Sequence, residues 1–149
     1  MSDIWPVLDE PKLYFAYGSN LNIKKMLRRC PTAVPERRHI LQNWKLVFRD
    51  VADIEPEFGK YAEGALYWVM PKDIVSLDRS EGVHHGMYRR VDYLLDNEET
   101  IFFYVMNDIR VLPPGASYYS VIENGFADWG IDPLPLQTAL TEAYAAYPA

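Results

Sequence analysis

The sequence is poor in cysteine, since Cys30 is the only one among its 149 residues. A single cysteine forms no internal disulfide, so we expect the protein to work in a reducing compartment, the cytoplasm. The chain also has no basic segment followed by an apolar run at its start, and no apolar stretch of membrane-spanning length. These absences predict a cytoplasmic protein without a membrane partner.

Basic residues are also in the minority. Fifteen lysines and arginines against 21 acidic residues give a formal net charge of −6, which repels nucleic acid. The arginine doublets at 28–29, 37–38 and 89–90 lack interleaved aromatic residues, and such pairs are usually solvated or ion-paired. We therefore expect no nucleic-acid partner.

The sequence patterns of metal, cofactor and nucleophilic sites are missing as well. There is no Gly-x-Ser-x-Gly motif and no dinucleotide-binding fingerprint. His84 and His85 are adjacent, and neighbouring histidines in a loop rarely reach one ion. Cys30 and His39 have no further motif that would make them a nucleophile and its base, so Cys30 is expected to be a small buried thiol. We predict neither a metal nor a cofactor.

The composition that remains is that of a globular chain, with 49% apolar, 14% aromatic and 24% charged residues. A length of 149 residues is sufficient for one sizeable core. We therefore predict a single domain over residues 1–149. Its first part, residues 1–11, carries Pro6 and Pro11 and is predicted to be a loosely ordered arm.

Hydrophobic periodicity and turn residues predict an α+β fold: a small mixed sheet or barrel of about six strands flanked by helices. The predicted strands cover residues 12–17, 33–34 with 38–41, 44–48, 61–69, 88–95 and 100–106, and the predicted helices cover 23–29, 72–79, 117–129 and 136–147. The acidic stretch 51–60, with Pro56 and Gly59, is predicted to be a mobile loop that borders a site.

The most informative stretch is residues 14–21, where an aromatic strand leads into a glycine and then a helix. Gly18 lets a ligand approach the backbone, and Ser19, Asn20 and Asn22 are polar where the helix would begin, with Asn22 the predicted cap. Unpaired N–H groups at such a junction attract anions. Because the pattern of a phosphate-binding P-loop is absent, the predicted ligand is a small carboxylate. Alternatively, the turn only connects the two elements.

Glu81 is the predicted proton-transfer residue, since it falls at the end of helix 72–79, directly before Gly82. A carboxylate there meets the negative end of the helix dipole, and burial would raise its pKa further, as a general base near neutral pH requires. The alternative is an exposed surface glutamate. Tyr118, which follows the Pro-Pro-Gly turn at 113–115, offers a hydroxyl to a ligand or, alternatively, packs in the core.

Residues 14–21 (Tyr-Phe-Ala-Tyr-Gly-Ser-Asn-Leu) and 76–88, with their Glu-Gly-Val and Gly-Met-Tyr sequences, together resemble the γ-glutamylcyclotransferase family. The resemblance extends from residue 14 to about residue 125 and implies a small mixed β-barrel. It also implies the cofactor-free closure of a γ-glutamyl amino acid or amine to 5-oxoproline, in glutathione metabolism, with Glu81 as the catalytic acid and base. The substrate-binding residues that it implies are Tyr14, Phe15, Ala16, Tyr17, Gly18, Ser19, Asn20 and Tyr118.

Two other functions stay open at the level of the sequence. One is a non-catalytic module that binds γ-glutamyl compounds or other carboxylates, although the negative charge of Glu81 disfavours a purely anion-binding pocket. The other is an interaction protein, which would require exposed aromatic residues on the two C-terminal helices. A homodimer is compatible with the sequence.

Overall fold

The computed structural model describes residues 10–147, which form a five-stranded sheet and four α-helices. The strands are β1 (Lys12–Ala16), β2 (Val34–Arg49), β3 (Val51–Val69), β4 (Tyr88–Leu94) and β5 (Thr100–Met106). The helices are α1 (Ile23–Arg29), α2 (Pro71–Ser80), α3 (Ala116–Trp129) and α4 (Leu134–Ala146), with 3-10 turns at Ser19–Leu21 and Val83–His85. The predicted N-terminal arm falls mainly on residues 1–9, which lie outside the described residues.

The strand order β2-β3-β1-β5-β4 places β1 at the centre of the sheet. β1 runs antiparallel to β3 and parallel to β5, and the other neighbouring strands are antiparallel. The residues of β1 from Leu13 to Ala16 are all buried, because a central strand covered on both faces is shielded from water. The mixed sheet and its helices confirm the predicted α+β class.

The sheet does not close into a hydrogen-bonded barrel, although its edges approach each other. Its two edge strands, β2 and β4, share no ladder among the described residues. Their side chains nevertheless meet, since the ring centroids of Trp44 and Tyr93 are 6.1 Å apart. Arg37 Nη2 also lies 2.6 Å from Glu99 Oε1, just before β5. The molecule is therefore barrel-like in shape but open in its hydrogen bonding.

The largest difference from the predicted elements concerns β2 and β3. The predicted turn at 42–43 and the predicted loop at 51–60 were wrong, because both segments belong to one long hairpin that turns at Asp50, with a φ of 72°. Asn43 has a left-handed φ of 66° and lies at a bulge through which β2 continues. Among the described strands, the first half of β3 forms a ladder only with β2, and a strand with one open side tolerates charges and Pro56. The sheet therefore has five strands rather than about six.

The helix ends follow the predicted signals. Asn22 caps α1, since its Oδ1 accepts the Lys25 backbone N–H at 3.0 Å. α2 ends at Ser80, with Glu81 as its C-cap, and Gly82 follows with a left-handed φ of 64°. Glycine lacks the steric penalty that other residues have in this conformation. The chain therefore leaves α2 abruptly, directly after Glu81.

Helix α3 packs against the turn that follows β1. It begins at Ala116, one residue before the predicted start at residue 117. Asn22 Nδ2 donates to the Val121 carbonyl at 3.2 Å, and Trp129 Nε1 donates to the Leu21 carbonyl at 2.9 Å. A helix far along the chain thus fixes the position of this turn.

One hydrophobic cluster connects the sheet with all four helices. The aromatic residues of α3 pack on this cluster, whereas Tyr144 and Tyr147 at the end of α4 are exposed. Among the described residues, no helix has the length and apolar character needed to cross a membrane.

Candidate active site

A hollow of about 150 Å³, which we call the candidate pocket, lies between the end of α2, the turn after β1 and the start of β3. A closed cavity of similar volume binds benzene, so the candidate pocket admits a small head group while the rest of a longer ligand stays outside. The lining residues are Tyr14, Tyr17, Gly18, Ser19, Asn20, Lys25, Arg29, Val51, Ala52, Ser80, Glu81, Met87, Tyr88, Tyr104 and Tyr118.

The turn after β1 is held by the buried side chain of Asn20. Its Nδ2 donates to the Tyr14 hydroxyl at 2.9 Å, and its Oδ1 accepts from Arg29 Nη1 at 2.9 Å. The Asn20 backbone carbonyl accepts the Tyr67 hydroxyl at 2.8 Å. The backbone N–H groups of residues 18–20 have no acceptor within residues 10–147, so they are available to an anionic or carbonyl oxygen in the pocket.

Gly18 is required by a close approach to the hairpin. Its φ of −124° lies outside the left-handed region that favours glycine. A Cβ at this position would lie 2.9 Å from the Cβ of Ala52 and 3.8 Å from the Tyr118 hydroxyl. The missing side chain thus allows the turn to pack directly against the start of β3.

Glu81 lines the candidate pocket from the end of α2. Its backbone N–H donates to the Leu77 carbonyl at 2.9 Å, which fixes the backbone from which the side chain projects. None of the ion pairs within residues 10–147 includes its carboxylate. Burial raises the pKa of Glu81 to about 7, although the charges of Arg29 and Lys25 lower it. The carboxyl therefore exchanges a proton readily near neutral pH.

Two tyrosine hydroxyls of the pocket bind the backbone of Ala52. The Ala52 N–H donates to the Tyr118 hydroxyl at 2.9 Å, and the Tyr88 hydroxyl donates to the Ala52 carbonyl at 2.6 Å. Burial raises the pKa of Tyr118 to about 12 and also raises the pKa of Tyr88, so both groups keep their protons. Because Tyr118 accepts from Ala52, its own proton is available to an acceptor in the pocket.

Most of the residues predicted from the sequence meet in this pocket. Those that line it are Tyr14, Tyr17, Gly18, Ser19, Asn20, Glu81 and Tyr118. Phe15 and Ala16 do not line it. Phe15 is fully buried with its ring against His39 and Phe103, because successive side chains of a strand point to opposite faces. Ala16 is buried where its carbonyl faces Gly64 of β3.

The basic side of the pocket was missed from the sequence. Lys25 and Arg29 line it from α1, although Arg29 was predicted to lie on a solvated or ion-paired face. Their spacing of four residues puts them on one face of a helix, which is the signal that would have connected them. The other unpredicted lining residues are Val51, Ala52, Ser80, Met87, Tyr88 and Tyr104.

The other candidate groups are not part of this pocket. Among the described residues, no three His, Cys, Asp or Glu side chains are grouped to hold a metal ion. Cys30 is fully buried, and its Sγ lies 3.6 Å from the Asp73 carbonyl. Burial raises the pKa of its thiol to about 11, so it is the small buried thiol that was predicted. His39 also lies away from the pocket, and burial lowers its pKa.

The fold and pocket define a small α+β protein that holds a carboxyl group beside a glycine turn. The family model described as "Gamma-glutamyl cyclotransferase, AIG2-like" matches residues 14–125. The chain belongs to this family, which confirms the resemblance of its two sequence motifs.

Individual relatives agree with this assignment. The chain is similar to the gamma-glutamylcyclotransferase of Bos taurus, with 32% identity over 147 residues that cover 88% of this chain and 78% of the relative. The gamma-glutamylcyclotransferase of Homo sapiens is 30% identical over 148 residues, which cover 89% and 78%. The solved structure of a gamma-glutamyl cyclotransferase has a TM-score of 0.74 at 28% identity and covers 94% of this chain and 90% of that one.

Proposed function

We propose that this protein is a γ-glutamylcyclotransferase, which converts a γ-glutamyl amino acid or amine into 5-oxoproline and the free amino acid or amine. The observation that carries the proposal is the Glu81 carboxyl, whose pKa burial raises to about 7, in the same pocket as the turn at Gly18. Two similar proteins of about 30% identity are named gamma-glutamylcyclotransferases. The family assignment and the site chemistry thus support the same reaction.

In the proposed reaction, Glu81 removes a proton from the α-ammonium group of the substrate. Because burial raises the pKa of Glu81 to about 7, its proton affinity is closer to that of an amine than the proton affinity of an ordinary glutamate is, so the transfer costs less free energy. The freed amine nitrogen attacks the γ-carbonyl carbon of the same molecule and closes a five-membered lactam. The bond between the γ-carbon and the leaving nitrogen breaks as protonated Glu81 gives its proton to that nitrogen. The second proton of the attacking nitrogen, which is lost when the lactam N–H forms, then passes through Glu81 to the released amine, which leaves as an ammonium ion.

The pocket supplies orientation and charge stabilisation for this step. The N–H groups of residues 18–20 and the Tyr118 hydroxyl are donors to the γ-carbonyl oxygen as negative charge develops on it, or to the α-carboxylate. The proposed chemistry uses only the substrate, Glu81, the N–H groups of residues 18–20 and the Tyr118 hydroxyl, because the nucleophile belongs to the substrate.

The cellular location, the metabolic context and the domain organisation are part of the same proposal. We place the protein in the cytoplasm and in glutathione metabolism, and we treat residues 1–149 as one domain of this kind. The single cysteine and the family assignment support the first two statements. The shared hydrophobic cluster of the described elements supports the third. The net charge of the protein, −6, disfavours a nucleic-acid partner.

The test is incubation of the purified protein with γ-glutamyl-alanine and detection of 5-oxoproline by chromatography and mass spectrometry. We expect Glu81→Gln, which keeps the shape of the side chain but removes its basicity, to lower the rate at least about a hundredfold. Glu123→Gln, on the exposed face of α3, is the matched control and should keep full activity.

Full activity of Glu81→Gln would refute the role of Glu81. Saturable binding of γ-glutamyl-alanine without lactam formation, equal in wild type and variant, would instead identify the non-catalytic module.

A further inference from the structure

Lys25 is a basic residue of the candidate pocket that no described carboxylate pairs with. Its backbone N–H donates to the Asn22 cap at 3.0 Å, so the start of α1 fixes where its side chain projects. Its Nζ lies 6.0 Å from the centroid of the Tyr118 ring, and none of the ion pairs within residues 10–147 includes it. Its ammonium donors are therefore available to a ligand.

The pocket carries more positive than negative charge. Glu81 is the one acidic lining residue, against Lys25 and Arg29, in a chain whose net charge is −6. Arg29 already donates to Asn20 Oδ1 at 2.9 Å, which holds one end of its guanidinium on the turn. Burial and the charge of Arg29 lower the pKa of Lys25, although the charge of Glu81 raises it. An anionic group in the pocket would complete the charge balance.

We propose that Lys25 binds a carboxylate of the substrate and so helps to determine which γ-glutamyl compounds the protein accepts. The inference rests on the proposed function, because it assigns the substrate's α-ammonium group to Glu81. Lys25 repels that ammonium group and attracts a carboxylate, so the two residues orient the substrate between them. A γ-glutamyl amino acid offers two such groups, the α-carboxylate of the glutamyl residue and the carboxylate of the leaving amino acid.

The test compares Lys25→Met with Lys24→Met, the neighbouring exposed lysine outside the pocket. With γ-glutamyl-alanine, we expect Lys25→Met to raise KM about 10- to 100-fold, as the loss of a charged hydrogen bond does. Lys24→Met should leave KM unchanged, and Lys25→Arg, which keeps the charge, should restore much of the affinity. An unchanged KM in Lys25→Met would overturn the proposal.

Two further substrates identify the carboxylate. In γ-glutamyl-alaninamide the leaving group has no negative charge, and in γ-linked isoglutaminyl-alanine the α-carboxylate is replaced by an amide. The rise in KM caused by Lys25→Met should disappear for the substrate that lacks the carboxylate bound by Lys25, and it should persist for the other substrate. An equal penalty for all three substrates would mean that Lys25 acts only through the protonation of Glu81 or through the fold, and would also overturn the proposal.

A binding measurement separates this inference from the proposed function. Calorimetry with γ-glutamyl-alanine on Glu81→Gln and on the Glu81→Gln/Lys25→Met double variant measures affinity where turnover is suppressed. Weaker binding by the double variant supports the role of Lys25 even when wild type forms no 5-oxoproline, a result that would refute only the proposed function. Equal binding by the two variants, with 5-oxoproline formed by wild type, refutes only the role of Lys25.

Discussion

The buried carboxyl of Glu81 has a raised proton affinity, and its charged form lowers the stability of the fold. The end of α2 and the surrounding pocket bury its carboxyl, and no described cation lies within ion-pair distance to compensate. Burial therefore raises its pKa from 4.5 to about 7. A carboxyl group in this state is a better proton acceptor than an exposed one, but its charged form destabilises the folded protein.

The pH dependence of stability follows from this shift. Between pH 4.5 and about 7 the folded protein binds more protons at Glu81 than the unfolded chain does, so stability from this group falls as the pH rises through that window. Glu81→Gln lacks the titration. We expect the variant to gain Tm relative to wild type at pH 8 and to gain little at pH 5, as measured by thermal unfolding. The same gain at both pH values, or a gain only at pH 5, would contradict a raised pKa.

The same profile applies to activity, with the sign reversed. The proposed reaction needs the deprotonated form of Glu81, so kcat/KM should rise with pH through about 7 and then level. Initial rates between pH 5 and 9 test this. A limb near the ordinary glutamate pKa of 4.5 would show that Glu81 is not the titrating base.

Gly18 offers a second test at the scale of one residue. Gly18→Ala places a methyl group 2.9 Å from the Cβ of Ala52, so the turn or the hairpin must move, at a cost of about 1–3 kcal/mol. KM should rise because the turn N–H groups shift. Adding Ala52→Gly removes the clashing atom and should recover part of both stability and KM, as measured by denaturant unfolding and steady-state kinetics. No recovery in the double variant would rule out this contact as the cause.

At the scale of elements, the hairpin of β2 and β3 forms the wall of the pocket, and a buried ion pair holds its turn. Arg49 Nε lies 2.7 Å from Asp53 Oδ2, with side chains that are 4% and 3% exposed. Asp53 Oδ1 also accepts the Met106 N–H at 2.9 Å, which connects the hairpin to β5. Ala52, between these partners, carries the backbone groups that bind Tyr118 and Tyr88.

Removing one partner of this pair should be costly. Arg49→Met leaves the Asp53 carboxylate buried without its counter-ion, and we expect a loss of about 3–5 kcal/mol in the free energy of unfolding. Arg110→Met is the control, because Arg110 pairs with Asp108 with side chains that are 77% and 48% exposed, and such pairs contribute less than about 1 kcal/mol. Urea unfolding measures both. Similar small losses in the two variants would show that the buried pair does not hold the hairpin.

At the scale of the whole molecule, one core joins the sheet and the helices. The reactivity of Cys30 measures how often this core opens. Cys30 is fully buried after α1, and burial raises the pKa of its thiol to about 11. We expect a thiol reagent at pH 8 to label the folded protein only as fast as it unfolds globally, and to label the denatured chain at once. Labelling of the native protein at the rate of a free thiol would show that the region around α1 opens independently of the core.

Local signals placed several parts of the candidate site correctly. The strand into Gly18, the Asn22 cap, and the end of α2 at Glu81 were predicted, because each depends on residues within one turn of the chain. The continuous hairpin was not, since the charges and proline of residues 51–60 resemble a loop until β2 pairs with them.

The sequence by itself determined the local elements and the residue types that reach the pocket, because backbone sterics, capping and side-chain chemistry act over short distances. Only the tertiary structure decided that Lys25 and Ala52 surround the same hollow as Glu81. It also decided the proton affinity of Glu81, because desolvation depends on which distant segments pack around a carboxyl group.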